Sequence, residues 1–248
     1  MKLGIMQPYF FPYLGYFQLI ASCDTFVIYD RVSFRKKGWI ARNRILNTGN
    51  GLPININVPL KSQSSNKMIF ELEIDNNQKW QEKFLNLVFY NYKRAIHFEE
   101  IFVFLENTLN QSFDLITSLN SLFIHQLCDL LDVKAKIIYP DESQREIESS
   151  LLKNSYNDIS VMTARVIRVC KQYGATTYIN PPGGQQLYSS VDFKTHDLEL
   201  RFIQPNIPSY GQFKFQHVPN LSIVDCLMHM GIERTKEVLT NYKLISGE

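Results

Sequence analysis

The sequence predicts an α/β fold built on a parallel sheet, and three patterns near its start predict it. Residues 2–6 form a short apolar run, residues 13–21 repeat apolar side chains at helical spacing, and residues 25–30 (TFVIYD) are rich in β-branched and aromatic side chains. A strand, a helix and a second strand in this order are typical of a parallel βαβ unit. Such sheets bind ligands at the carboxyl ends of their strands, which here are residues 7–11 and the segment from Asp30 onward.

The chain as a whole is predicted to have three parts. They are an α/β part with a hairpin turn at 48–53 (residues 1–75), a block of roughly three helices (residues 76–131), and a C-terminal α/β part that completes the same core (residues 132–248). Within the first part, the alternating sequence MIFELEI (residues 68–74) predicts a further strand.

Strands and helices alternate again in the C-terminal part. The helix predicted from residue 158 onward ends at Gly174, and the final helix has Asn220 or Ser222 as its N-cap and Gly231 as its end. The predicted strands of this part are residues 135–139, 176–180 and 198–203.

Composition and charge exclude several classes of protein. The formal net charge is +2 for 248 residues, so a broad nucleic-acid-binding surface is not expected and any basic function must be local. The four cysteines are far apart and the five histidines lack HxH or HxxxH spacing, which argues against a metal site and predicts buried free thiols. The N-terminal apolar run is too short for a signal peptide, and no run approaches the roughly 20 residues of a membrane helix. We therefore expect a cytoplasmic protein with no bound metal and no membrane insertion.

An aromatic loop follows the first predicted strand. The segment QPYFFPYLGYF, residues 7–17, holds more rings than a strand-to-helix connection needs. One interpretation is a platform on which a base or sugar stacks, with substrate contacts from Gln7, Pro8, Tyr9, Tyr13, Gly15 and Tyr16. The other is a hydrophobic staple at the end of the sheet, which would account for Phe10, Phe17 and Phe11.

The stretch PYLGY, residues 12–16, lies where α/β nucleotidyltransferases and class I synthetases carry a P-x-H-x-G-H or HIGH signature. Its place after the first strand predicts a nucleotidyltransferase-like (HUP-like) βαβ opening. Gly15 would let a phosphate or ribose approach the backbone at the start of the helix. Tyr13 and Tyr16 replace both histidines, which puts adenylyl transfer by that mechanism in doubt.

The segment from Arg31 to Arg44 is the most basic part of the chain. We predict that it clamps a pyrophosphate, because guanidinium groups match phosphate oxygens in geometry; the alternative is a solvated charged face. Asp30, just before it, is a candidate general base, and its alternative role is a cap or a salt bridge to Arg31 or Arg35. The substrate contacts predicted in this segment are Lys36, Lys37, Trp39, Arg42, Asn43 and Arg44.

Two later segments add candidate residues. NPPGGQQLY follows a predicted strand, and its Gly183 and Gly184 could turn backbone amides toward an anion, with Tyr188 nearby; a plain turn is the alternative. Among the histidines, His217 in the loop YGQFKFQHVP is the one we expect to act as a base.

Four segments together resemble the WbqC-like family of bacterial proteins over nearly the whole chain. They are QPYFFPYLGYFQLI, DTFVIYD, GWIARNRI and VPNLSIVDCLMHMG. Members are typically found among genes for O-antigen and related surface polysaccharides, a part of lipopolysaccharide biosynthesis. The family more often shows two acidic residues where this chain has Asp30 and Arg31. The positions that the resemblance marks are Gln7, Pro8, Tyr13, Gly15, Tyr16, Asp30, Trp39, Arg42, Asn43, Arg44, Ser222 and Asp225.

The resemblance implies an enzyme, an N-acyl or aminoacyl (for example glycyl) transferase. Its acceptor would be a nucleotide-linked amino sugar such as one carried on dTDP. The donor is open: a thioester on a carrier protein, an aminoacyl-tRNA, or ATP plus an amino acid. The alternatives are a non-catalytic nucleotide-sugar binding protein and a HIGH-like nucleotidyltransferase that lacks the histidines. A homodimer is a further expectation.

Overall fold

A computed structural model describes residues 1–153 and 159–247. The helices are α1 (Leu14–Ala21), α2 (Trp80–Tyr92), α3 (Phe98–Leu109), α4 (Ile116–Leu130), α5 (Glu142–Lys153), α6 (Val161–Gln172), α7 (Ser190–Lys194) and α8 (Ile223–Leu239). The strands are β1 (Lys2–Met6), β2 (Thr25–Ile28), β3 (Arg42–Leu46), β4 (Pro53–Asn57), β5 (Lys136–Ile138), β6 (Thr177–Asn180), β7 (Glu199–Pro205) and β8 (Tyr242–Ser246).

The predicted α/β fold with a mostly parallel sheet is confirmed. Six strands form one sheet in the order β5-β2-β1-β6-β7-β8, and β3 pairs with β4 in a separate antiparallel hairpin. Neighbouring strands of the large sheet run parallel, except that β8 runs antiparallel to β7. The parallel strands follow the chain order 3-2-1-4-5, which is the order of doubly wound α/β proteins.

Alternation along the strands gives the sheet two buried faces. In β2, Phe26 and Ile28 belong to one hydrophobic cluster and Val27 to the other. The first cluster also contains side chains of α1, α8 and the helical block, whereas the second contains side chains of α5, α6 and α7. Because successive side chains of a strand point to opposite faces, helices cover both sides of this sheet.

The predicted helical block is present as α2, α3 and α4, and its side chains extend the first cluster over the β3–β4 hairpin. The predicted strand at residues 68–74 is wrong. Residues Ile69–Glu71 form a short 3-10 helix, in which the Glu71 carboxylate accepts a hydrogen bond of 2.6 Å from the backbone N–H of Met68. Buried side chains at Ile69, Leu72 and Ile74 produced the apparent alternation.

Three elements, α5, α7 and β8, were not predicted from the sequence. Among its described side chains, helix α5 buries two apolar ones, Ile147 and Leu151, and the polar Gln144, so its apolar stripe is too narrow to stand out in a charged segment. Strand β8 forms the edge of the sheet and runs antiparallel to β7. The start predicted for the preceding helix, residue 158, lies outside the described residues.

Of the two residues predicted as the N-cap of α8, Asn220 and Ser222, the structure has Ser222. Its hydroxyl accepts a hydrogen bond from the N–H of Val224 at 3.3 Å. The predicted end at Gly231 is confirmed in part, because the helical run from Ile223 is interrupted there and a second helical run follows it. Gly231 has φ 72° and ψ 179°, which kinks the helix, and the chain then continues as a helix to Leu239. A β-carbon at this position would lie 2.5 Å from the ring of His97. Glycine therefore permits both the kink and the contact with the loop before α3.

We expect Gly231→Ala to lower the free energy of unfolding by about 2–3 kcal/mol, because it adds backbone strain and an overlap with the His97 ring. Gly174→Ala is the matched control. Gly174 also has a positive φ, 69°, but a β-carbon there would meet no atom within 4 Å. We therefore expect it to cost only about 1 kcal/mol. Urea unfolding of both variants measures the difference, and equal losses would contradict the role given to His97.

Candidate functional site

The strand order reverses between β1 and β6 and places a cavity at the carboxyl edge of the sheet. The chain adds β2 and β5 on one side of β1, and β6 and β7 on the other. The loops after β1 and β6 therefore lead to opposite faces, and ligands of doubly wound proteins bind between such loops. A cavity of about 350 Å³ lies here, which we call the switch-point cavity. It is lined by Tyr13, Leu14, Pro182, Pro205, Ile207, Tyr210, His217, Pro219, Asn220, Leu221 and Cys226.

Two helix N-termini meet at the switch-point cavity. Helix α1 starts at Leu14, a lining residue, and no side chain caps its start. Helix α8 starts just after Leu221, which also lines the cavity. The loop before α8 is tied to the loop before α1, because the N–H of Ile223 donates to the carbonyl of Pro12 at 2.9 Å. The partial positive charges of the two helix ends favour a negatively charged group in this cavity.

The imidazole ring of His217 lines the cavity. The ring is half-buried and packs edge-to-face on Tyr210, with 4.7 Å between ring centroids. Its Nδ1 is buried and has no hydrogen-bond partner among the described residues. A neutral imidazole with an unoccupied nitrogen can accept a proton or a hydrogen bond from a ligand. His217 is therefore the predicted catalytic residue that the structure places on a cavity.

A buried carboxylate, that of Asp225, holds the lining residue Tyr210 in place. Asp225 is fully buried and accepts hydrogen bonds from the hydroxyls of Tyr210 (2.7 Å) and Tyr92 (2.6 Å) and from Nε2 of Gln212 (2.6 Å). Burial raises the pKa of Tyr210, and the neighbouring Cys226 and Asp225 raise it further. The Tyr210 phenol thus stays protonated and holds its place beside His217.

Cys226 lies in the same cavity with its sulfur 3.2 Å from the Tyr210 hydroxyl. Burial raises the pKa of this thiol to about 12, so it remains protonated at neutral pH and is a poor nucleophile. The other three cysteines are also buried and unpaired, as predicted.

Most rings of the aromatic loop belong to the hydrophobic core, which confirms the staple interpretation for Phe10, Phe11 and Phe17. Phe11 stacks on Phe84 of α2 with 5.2 Å between centroids and an interplanar angle of 11°. The predicted substrate contact of Tyr16 is corrected, because this side chain is 2% exposed and its hydroxyl donates to the carbonyl of Gln7 at 3.0 Å.

The remaining loop residues have mixed surroundings. Tyr9 is half-buried, whereas Pro8 is buried, with its carbonyl accepting a hydrogen bond of 2.9 Å from Asn120. The contact predicted between a phosphate and the backbone at Gly15 stays a prediction. The open side of Gly15 is filled by the ring of Tyr13, which would lie 2.4 Å from a β-carbon there. Tyr13 is thus the ring of this loop that reaches the switch-point cavity.

The Gly-Gly segment reaches the cavity only through its neighbour Pro182. Gly183 is exposed, and Gly184 is buried against the side chain of Asn180. Tyr188 packs edge-to-face on Tyr178, at 6.1 Å between centroids, in the cluster on the other face of the sheet. The contacts predicted for Gly183, Gly184 and Tyr188 stay predictions.

The basic segment serves partly as structure. Asn43 is buried and donates to the carbonyls of Phe10 (2.9 Å) and Phe11 (2.6 Å), which ties β3 to the aromatic loop. Arg42 donates through Nε to the carbonyl of Gly38 at 3.0 Å and through Nη2 to that of Lys37, whose own side chain is exposed. These contacts explain part of the segment without a ligand.

Arg42 and Arg44 both lie close to one ring. Each guanidinium carbon is 5.4 Å from the centroid of Trp39, which is 37% exposed. Arg42 and Lys36 line a second cavity of about 390 Å³ between the β3–β4 hairpin and α2, which we call the hairpin cavity. Tyr13 lines the switch-point cavity instead. The ring of Tyr13 and the cations Lys36 and Arg42 therefore line different cavities.

Asp30 follows β2 and is 1% exposed. Its carboxylate accepts a hydrogen bond of 2.8 Å from the Thr117 hydroxyl and lies 3.7 Å from Nε of Arg31, so the salt bridge considered from the sequence is present. Burial raises its pKa, while Thr117 and Arg31 act in the opposite direction. The carboxylate lines neither of the two cavities described above. Its role as a general base stays a prediction.

The raised pKa of Asp30 predicts how a neutral replacement behaves. An acid whose pKa is higher in the folded than in the unfolded chain favours folding only while it is protonated, so its contribution is lost as the pH rises through the folded-state pKa. We expect Asp30→Asn to be more stable than the unmodified protein at neutral pH and equally stable near about pH 3. Urea unfolding across this range measures it. Asp114→Asn, at an exposed carboxylate, serves as control. A variant less stable at neutral pH than at acid pH, relative to the unmodified protein, would contradict this expectation.

The fold and the cavity define a class: a doubly wound α/β protein with a candidate ligand site at its topological switch point. Within that class, the model of the WbqC-like protein family matches residues 7–237, and the chain belongs to this family. It is also similar to the uncharacterized protein Rv1507c of Mycobacterium tuberculosis (strain ATCC 25618 / H37Rv), with 31% identity over 242 residues, which cover 94% of this chain and 95% of that protein. No solved structure matches the chain. Among the described residues, no helix has the length and apolar character needed to span a membrane.

The sequence did not identify every residue of this site. Tyr210 and Gln212 were missed, because a tyrosine and a glutamine in a loop carry no motif of their own. Their hydrogen bonds to Asp225, a position that the family resemblance marks, are seen only in the structure.

Proposed function

We propose that the protein transfers an acyl or aminoacyl group, for example glycyl, to the amine of a nucleotide-linked amino sugar in the synthesis of O-antigen or a related surface polysaccharide. One observation carries the proposal: His217, whose Nδ1 has no hydrogen-bond partner among the described residues, lines the same cavity as residues at the N-termini of α1 and α8. The family resemblance points to the same pathway. The donor stays open among a thioester on a carrier protein, an aminoacyl-tRNA, and ATP plus an amino acid.

The chemistry needs a proton acceptor near an anion-binding region. The sugar amine attacks the carbonyl carbon of the activated acyl group, so that a C–N bond forms and the bond from this carbon to the donor's leaving group breaks. The proton lost by the amine passes to Nδ1 of His217, and the electron pair of the broken bond leaves with the donor. The helix N-termini favour the sugar's phosphate groups. The ring of Tyr13 offers an apolar surface to the sugar or base.

Binding and turnover test the proposal together. The purified protein is screened by thermal shift against nucleotide sugars and nucleotides. A ligand at 100 times its Kd is expected to stabilise it by about 2.7 kcal/mol. Each binding sugar is then incubated with each donor, and its mass is measured. A mass increase equal to the acyl group supports the transferase, whereas no increase with any donor removes it.

Two other results favour the alternatives. Tight binding of a nucleotide sugar without turnover favours a non-catalytic binding protein. Release of pyrophosphate from a nucleoside triphosphate favours a nucleotidyltransferase that works without the HIGH histidines.

A further inference from the structure

One face of α2 lines two cavities that lie apart from the switch-point cavity. Lys83 and Leu87 line the hairpin cavity, and Tyr90 and Arg94 line another cavity of about 460 Å³ near the end of the helix. These positions recur at spacings of four, three and four, so they share one side of the helix and of the turn that follows it. The other wall is the β3–β4 hairpin, whose Asn55 and Asn57 line the hairpin cavity and whose turn residue Thr48 lines the cavity near the helix end. We call this surface the α2 groove.

The α2 groove concentrates positive charge in a nearly neutral protein. The formal net charge of the chain is +2, yet among the described residues that line the two cavities there are six cations and no carboxylate. None of the six forms an ion pair with a described carboxylate, whereas Arg145, Arg165 and Arg234 elsewhere in the protein are paired. The six are Lys36, Arg42, Lys83, Lys93, Arg94 and Lys214.

Exposed rings accompany these cations. Tyr90 is 69% exposed and Phe213 is 37% exposed, and both line the cavity near the helix end. Trp39, next to the lining residue Gly38 at the other end, is exposed to the same degree as Phe213. Amides of Asn55, Asn57 and Gln63 supply neutral hydrogen-bonding groups between the charges. Cations that follow a backbone, with rings on which flat groups stack, are the combination that binds unpaired nucleic acid.

We propose that the α2 groove binds single-stranded nucleic acid. Helix α2 has 13 residues and is therefore about 20 Å long, which at 3.4 Å per stacked nucleotide accommodates about six nucleotides. The six cations contact the phosphates, and Tyr90, Phe213 and Trp39 stack on bases. An unpaired strand fits better than a duplex, because only an unpaired strand offers base faces to the rings. The proposal goes beyond the proposed function, since none of the six cations lines the switch-point cavity.

Fluorescence anisotropy with a labelled oligouridylate, and in a second arm with an oligothymidylate, tests the proposal. No sugar or acyl donor is needed, so the outcome is separate from that of the transferase assay. Six phosphate contacts predict that the logarithm of the binding constant falls with the logarithm of the salt concentration with a slope of about −4. The two arms show whether RNA or DNA is preferred. No binding of either strand at low salt would overturn the proposal.

A charge-matched pair of triple variants locates the site. The combined change Lys83→Gln, Arg94→Gln and Lys214→Gln is expected to weaken binding. It should also change the slope of the logarithm of the binding constant against the logarithm of the salt concentration from about −4 to about −2. The control combines Lys136→Gln, Lys194→Gln and Lys243→Gln, which lowers the net charge equally at exposed lysines outside the groove. Binding lost equally in both variants would show a non-specific charge effect and would overturn the site.

Competition separates a strand from isolated phosphates. We expect the unlabelled strand to displace the labelled one at far lower concentration than pyrophosphate does. Displacement by pyrophosphate at equal molar concentration would mean that the cavities hold single phosphate groups and would overturn the strand proposal.

Discussion

Replacing Asp225 with alanine is expected to lower the free energy of unfolding by about 4 kcal/mol, the largest stability loss we expect from a polar position. The carboxylate is fully buried and accepts three hydrogen bonds. Its removal leaves the hydroxyl of Tyr92 without an acceptor and takes one acceptor each from Tyr210 and Gln212, although Nε2 of Gln212 still donates to the carbonyl of Val218 at 3.2 Å. Each unsatisfied buried donor costs about 1–3 kcal/mol. Losses at neighbouring groups do not add fully, so the sum is smaller than three separate penalties.

Urea unfolding measures the loss of stability, and two further variants serve as comparisons. Asp225→Asn keeps an acceptor oxygen but turns an N–H₂ group toward one of the donors, so we expect an intermediate loss. Asp129→Ala, at an exposed carboxylate of α4, is expected to change stability by less than about 0.5 kcal/mol. A loss below about 1 kcal/mol for Asp225→Ala would mean that the three donors find water, and that the cavity floor is more open than the hydrogen bonds indicate.

Local patterns explain which parts of the fold could be predicted. Strands β1 and β2 and helix α1 follow from spacings within thirty residues, and the turn between β3 and β4 follows from its glycines. Helix α5 was not predicted, because it buries few side chains. The short 3-10 helix at residues 69–71 was predicted as part of a strand, because apolar and polar residues alternate in the sequence around it. The spacing of apolar residues in the sequence indicates which side chains are buried. It identifies the secondary structure only when enough residues of one face of a helix or strand are buried.

The site was harder to predict, because its members meet through contacts distant in the sequence. The aromatic loop has more rings than a strand-to-helix connection needs, and the sequence shows this surplus. Whether the rings contact a ligand or pack in the core depends on Phe84 and Phe123, which come from the helical block. Asp30 is likewise enclosed partly by Thr117, 87 positions later. Neither partner carries a motif, so no local signal shows that these positions are filled.

The aromatic loop and the basic segment are joined, yet they face different cavities. Asn43 fixes β3 to the loop, and the N–H of Phe10 donates to the carbonyl of Trp39 at 3.0 Å. The loop then directs Tyr13 toward the switch-point cavity, while Lys36 and Arg42 face α2. The switch-point cavity and the α2 groove are therefore connected through the hydrogen bonds between the aromatic loop and the basic segment. A change at Asn43 should affect both sites, whereas changes at His217 or Lys83 should affect one each.

Replacing His217 with glutamine is expected to reduce acyl transfer by about 10²–10⁴-fold, the range for loss of a positioned proton acceptor. Glutamine is polar and of similar size but cannot take up the proton of the sugar amine. Because the ring is half-buried and its Nδ1 has no partner among the described residues, we expect the variant to fold with its stability changed by about 1 kcal/mol or less.

The control for this variant is His125→Gln, at a partly exposed histidine of α4 that contacts Asp129 at 3.3 Å and does not line the switch-point cavity. Its transfer rate should equal that of the unmodified protein. The rate constant for conversion of bound sugar, followed by the mass of the product, is the deciding quantity. A ligand that still binds His217→Gln in a thermal-shift assay but is no longer converted assigns the proton transfer to this imidazole. A variant that retains half or more of the rate removes His217 from the reaction and leaves Asp30 as the remaining candidate base.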